Sequence, residues 1–93
     1  MVRHIVMWKL KNRADGSRLK EALEAMRGQV PGLMDIRVGL DFLHSDQSAD
    51  MVLIADLENR AALDVYQQHP LHQAVIPMMR KATLSRTVVD FEL

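Results

Sequence analysis

Residues 34–57, MDIRVGLDFLHSDQSADMVLIADL, decide the fold, because they hold two strands in succession with only a loop between them. Met34, Ile36, Val38 and Leu40 share one parity, the period of two expected of a half-buried strand. Asp41 through Ser48 is polar apart from Phe42 and Leu43 and reads as a loop. Residues 50–57 form the next strand. Both of its parities, Met51-Leu53-Ala55-Leu57 and Val52-Ile54, are apolar, so both faces are expected to be covered.

Outward from this pair the pattern alternates strand and helix. Residues 2–10 (VRHIVMWKL) are a compact apolar run with the strand formers Ile5, Val6 and Trp8. A helix is expected to follow, with Ser17 as N-cap and Leu19, Leu23, Met26 and Val30 on one face, closed by Pro31-Gly32. After the third strand, Asn59 is placed to cap a helix over about 60–68. Pro70 opens a further helix over about 71–81, in which Pro77 predicts a bend or break. Residues 83–92 (TLSRTVVDFE) complete a fourth strand. The order β-α-β-β-α-β defines an α+β, ferredoxin-like subunit: one antiparallel four-stranded sheet with helices on one face, read as a single domain over 1–93.

The uncovered sheet face carries the first functional expectation. Strands one, three and four place Val or Ile on both sides, yet the chain's own helices cover only one. A second copy stacked sheet to sheet is the expected cover, each 100 Å² of apolar burial stabilising by about 2.5 kcal/mol. A 93-residue chain buries only roughly 60–65% of its extended surface, so pairing adds useful burial.

Twelve basic and twelve acidic residues leave no net charge, which removes the electrostatic case for nucleic acid or an anionic membrane as partner. The absence of cysteine excludes disulfides, thiolate nucleophiles and sulfur-ligated metals, and fits a cytoplasmic protein. Arg3, His4, Lys9 and Lys11 interrupt the apolar start, which reads as a strand rather than a signal peptide or membrane span. The glycines form no dinucleotide or phosphate-loop fingerprint, so no cofactor is expected. Among His4, His44, His69 and His72 only His69 and His72 are closely spaced. Pro70 spoils a helical ligand pair, so no metal is expected either.

The chemistry concentrates in Tyr66-Gln67-Gln68-His69-Pro70-Leu71-His72. His72, early in its helix, meets the positive helix end and leans toward the neutral imidazole that accepts a proton. Tyr66 offers a hydroxyl donor for a carbonyl or enolate oxygen. His4 shares strand parity with Val6 and Trp8, so its ring is expected among apolar neighbours. His4, Tyr66 and His72 are the candidate catalytic residues, with Trp8, Val6, His69 and Met78 as candidate pocket lining. Each also has a structural reading, as a packed or capping side chain. Asp90 and Glu92 share a parity but are expected at solvent or in a dimer contact rather than as paired acid and base.

Together HIVMWKL (4–10), Pro31-Gly32 with IRVG (36–39), Asp50, LDVYQQHPLHQAV (63–75) and VVDFE (88–92) resemble the stress-responsive A/B barrel, or Dabb, domain over almost the whole chain. The resemblance implies a dimeric α+β barrel with a small-molecule cavity between sheet and helices. Cyclase members of the group use a strand-one histidine and the tyrosine and last histidine of a YxxHPxH element, which match His4, Tyr66 and His72. Their chemistry is an intramolecular aldol condensation of a polyketide, with a histidine as base. Two classes of function stay open. One is a cofactor-independent enzyme, a cyclase, isomerase or lyase acting on a carbonyl-containing, polyketide-like molecule. The other is a dimer without turnover, binding a small carbonyl-containing or aromatic molecule or serving as a stress-associated structural protein. A solvent-reachable cavity holding all three rings favours the first; a pocket collapsed by Trp8 and the methionines favours binding or a structural role.

Overall fold

The computed structural model describes residues 1–93 and shows strand β1 (Val2–Leu10), helix α1 (Gly16–Glu24), strands β2 (Leu33–Leu40) and β3 (Met51–Leu57), helices α2 (Arg60–Gln68) and α3 (Pro70–Ala82), and strand β4 (Thr83–Glu92). The four strands form one antiparallel sheet in the order β2-β3-β1-β4. This is the ferredoxin-like arrangement expected from the sequence. No helix is long and apolar enough to cross a membrane.

Alternation in the two central strands divides the sheet into two faces. Val6, Trp8, Leu10, Met51, Leu53, Ala55 and Leu57 are buried with Leu19, Leu23, Ile36 and Tyr66 in the core on the helix side. The intervening residues, Ile5 and Met7 on β1, Val52 and Ile54 on β3, and Val89 and Phe91 on β4, lie together on the other face, Ile5 opposite both Ile54 and Val89. Nothing in the protomer covers that face, and Met7, Val89 and Phe91 are exposed. One corner is polar: Arg3 makes a two-pronged ion pair with Asp56, at 2.7 and 3.0 Å.

Four local expectations are corrected. Helix α1 stops at Glu24 rather than at Pro31-Gly32, tightening through Met26 N–H to Leu23 O and Arg27 N–H to Glu24 O. Met26 and Val30 are buried all the same, so their spacing reported burial and not helix. Ser17 does not cap this helix; a 3-10 turn over Arg13–Asp15, capped by the Asn12 side chain, leads into it. In β2 the ladder is irregular between Leu33 and Asp35, so Leu33 takes the core position and Met34 is left 59% exposed. Helix α3 runs unbroken through Pro77, which removes one amide donor without ending the helix.

Two backbone details hold the sheet to its connections. Gly32 sits at φ +79°, and a Cβ there would come within 2.7 Å of the Ala62 Cβ, so only glycine lets this turn pass under α2. Asp50, ahead of β3, accepts from the Leu10 N–H at 2.8 Å and from the Arg13 guanidinium, while its own N–H donates to the Trp8 carbonyl. The Leu10 amide, with Arg13, holds the Asp50 carboxyl below its usual range.

Candidate functional site

The His69-Pro70 step makes the site possible. Proline forces the residue before it into an extended conformation, and His69 adopts φ −63°, ψ 140°, ending α2 and turning the chain into α3. His69 Nδ1 then accepts the Leu71 N–H at 3.1 Å, and its carbonyl accepts from Gln73 N–H. His69 is thus the cap of α3. It does not line the cavity, contrary to the expectation from sequence, because its ring is committed to the helix end. It also shares no site with His72.

The turn brings Tyr66, on the buried face of α2, against His72, in the first turn of α3; their rings meet edge to face with centroids 4.7 Å apart. On the other side of Tyr66 stands His4, at 5.9 Å. Tyr66 is 1% and His4 2% exposed. All three rings line one cavity of about 280 Å³ between the sheet and α3, with Val6 and Trp8 among the walls. Met78, expected in the lining, faces away toward a shallow depression beside Asp15 and Arg18; its neighbour Met79 lines the cavity instead.

Two residues of the site, Arg80 and Arg86, were not singled out by the sequence, and Asp90 was given no part in it. Asp90 lies directly across β1–β4 from His4 and its carboxylate is hydrogen-bonded to His4 Nδ1. Asp90 is exposed, as expected, and adds the bond to His4 that the sequence did not show, while Glu92 pairs with Arg60. Nδ1 of His4 is thereby turned to Asp90, and Nε2 is the ring nitrogen left free of it. Arg86, opposite Trp8, also lines the cavity, as does Arg80. The available signal was charge at even positions of a strand otherwise built of apolar and hydroxyl residues, but the partners lie 86 and 78 residues apart in sequence, beyond any local pattern.

Burial governs the protonation of the two facing rings. It pushes the Tyr66 hydroxyl up to about 12, against the opposing effect of the Arg86 charge, so the phenol remains a donor. It also lowers the His72 imidazole below its ordinary 6.5; the Gln67 carbonyl pulls the other way, and the His4 and Arg86 charges add to the lowering. His72 Nδ1 is the one enclosed side-chain polar atom without a hydrogen-bond partner, a cost that a folded core ordinarily avoids. A neutral imidazole, a protonated phenol, a carboxylate-held imidazole and two guanidiniums around an apolar hollow suit proton transfer at a small polar molecule.

Comparison with known proteins identifies the family and the fold. The family model of the stress responsive A/B barrel domain matches residues 2–93. No curated protein matches the chain. Among solved structures, a dimeric ferredoxin-like protein of unknown function from Jannaschia sp. CCS1 is 28% identical, with a TM-score of 0.81 over 99% of this chain and 98% of that one. A dimeric protein of unknown function and ferredoxin-like fold from Bacteroides fragilis NCTC 9343 is 27% identical, at a TM-score of 0.86 over 99% and 95%. A Dabb family protein from Mesorhizobium loti, 17% identical at a TM-score of 0.82 over 99% and 95%, shares the fold. The chain belongs to the stress-responsive A/B barrel family.

Proposed function

We propose that this family member is a homodimer joined through the open sheet faces, and that each protomer's cavity binds a small carbonyl compound and moves a proton on the carbon beside the carbonyl. The observation that carries the reading is the gathering of His4, Tyr66 and His72 around one hollow. A collapsed pocket would have favoured binding or a structural role without turnover.

His72, kept neutral by burial, takes the proton; the C–H electron pair becomes the enolate. The Tyr66 hydroxyl, protonated throughout the neutral range, donates to the enolate oxygen as charge develops there. His4, held by Asp90, supplies a second oriented imidazole to anchor the substrate or return the proton to a different carbon. Return to the same carbon gives exchange, return to another gives isomerisation, and attack of the enolate on a second carbonyl gives cyclisation. The dimer is supported by the apolar open face and by the dimeric state of the Jannaschia and Bacteroides proteins.

The proton step is tested by following loss of the α-proton signals of small ketones and keto acids in D2O by NMR. The expected result is protein-dependent exchange that falls about 100-fold or more in His72→Ala, with the fold retained. Its rate should decline on acidification with a midpoint below 6.5, because protonation removes the base. Exchange unchanged by His72→Ala removes that residue from the mechanism.

A further inference from the structure

The protein has eight arginines. Arg3, Arg13, Arg18, Arg27, Arg37 and Arg60 each reach a carboxylate within 4 Å. The two that reach none are Arg80 and Arg86, and both line the cavity. Their placement follows from the fold. Arg86 is the cross-strand partner of Trp8, so it projects from the same sheet face as Val6 and His4. His72, Ile76 and Arg80 recur every four residues along α3 and form one row facing the hollow. The acidic group nearest in the ladder, Asp90, is already bound to His4.

Two guanidiniums without a carboxylate partner beside an apolar cavity disfavour a cationic occupant. They favour an anion, and guanidinium matches the planar oxyanion of a carboxylate two bonds at a time. The cavity holds the equivalent of about nine waters, which limits the rest of the ligand to one ring or a short chain. We propose that the ligand is a small keto acid: its carboxylate sits on Arg86 with Arg80 beside it at the mouth, and its carbonyl points inward to Tyr66. This inference names the class of compound for the proton-transfer reading and rests on it. The arginines set specificity, while Tyr66 and His72 do the chemistry.

The test is titration calorimetry with a panel of matched pairs, phenylpyruvate and 2-oxohexanoate each against its methyl ester, using the full-length protein and the variants Arg86→Gln and Arg80→Gln. Both arginines are exposed, so their replacement leaves the core intact. The acids should bind about ten- to a hundredfold more tightly than the esters, and Arg86→Gln should erase most of that preference while leaving ester binding unchanged. Arg80→Gln should reduce it by a smaller factor. Esters that bind as well as the acids overturn the keto-acid assignment and leave the carbonyl-binding cavity standing. An acid preference that survives both replacements overturns the role of the arginines. Tighter binding of phenyl phosphate than of phenylpyruvate overturns the choice of carboxylate. Failure of every acid and every ester to bind overturns the cavity reading itself.

Discussion

The two faces of the sheet are built from alternate residues of the same strands, yet they do opposite things. On β1, His4, Val6 and Trp8 point to the helices and enclose a cavity with polar rings in its wall. Ile5 and Met7, one residue away, present aliphatic and thioether surface that the protomer leaves uncovered. On β3, Leu53 belongs to the core and Ile54 to the open face. The helix face spends its polar groups on a site, whereas the open face keeps its polar pair, Arg3 and Asp56, at a corner and its centre apolar. Side-chain alternation therefore lets nine consecutive residues form a cavity wall and an open apolar face without conflict, and a one-residue slip in register would exchange the two.

The largest effect that separates the faces is expected from Ile54→Glu. A carboxylate at the centre of a sheet-to-sheet contact loses its water without gaining a partner, a penalty of several kcal/mol. Sedimentation at micromolar concentration should change from a dimer to the 10.6 kDa protomer, with the α-proton exchange of the cavity retained in part because its walls lie on the other side. A dimer that persists would show that association uses some other surface.

Leu53→Ala is the counterpart on the helix face. Leu53 is 2% exposed, sits opposite Val6 and lines the cavity, so truncation removes packing that the core does not fully recover, at about 2–5 kcal/mol. For a domain of this length that corresponds to roughly 8–30 °C in melting temperature. The loss relative to wild type should be nearly independent of protein concentration, unlike that of Ile54→Ala, which acts through the association equilibrium. Calorimetric scans of both variants over a tenfold dilution distinguish the two faces; equal concentration dependence would contradict the division.

That division was legible from sequence wherever it depends on alternation within one strand. The doubled parities of 50–57 and the placement of His4 with Val6 and Trp8 both follow from period two. Tyr66 and His72 were found because seven residues separated by a proline lie close whatever the tertiary fold. The signal ends where position depends on pairing across the sheet. Asp90 meets His4, and Arg86 faces the cavity, only because β4 aligns with β1 in one register, displaced by a bulge between Lys9 and Leu10. Hydrophobic spacing misled at Met26 and Val30, where a tight turn keeps the same side chains buried without a helix, and at Met34, where an irregular ladder hands the core position to Leu33. His69 looked like lining because its competing task, accepting the Leu71 amide, appears only once the helix break is in place.

The smallest expected effect resolves the two faces by acid. On the helix face, His72 has its folded pKa below the 6.5 of the unfolded chain, so the unfolded state takes up the proton first. Its neutral form supports the fold above 6.5, and stability should fall as pH drops from there until His72 protonates in the folded protein as well. On the open face, the Arg3 guanidinium holds the Asp56 carboxyl below 3.8, so the support from this pair is intact above that value and is lost as pH falls through the folded value. Asp50 and Glu24, also lowered, add to this second phase. Melting temperatures measured from about pH 8 to about pH 3 should therefore decline in two separate windows. His72→Gln should flatten the upper one and leave the lower, and Asp56→Asn should weaken the lower and leave the upper. An upper decline that survives His72→Gln would assign it to another histidine and remove the evidence that the cavity wall is held neutral at the expense of acid stability.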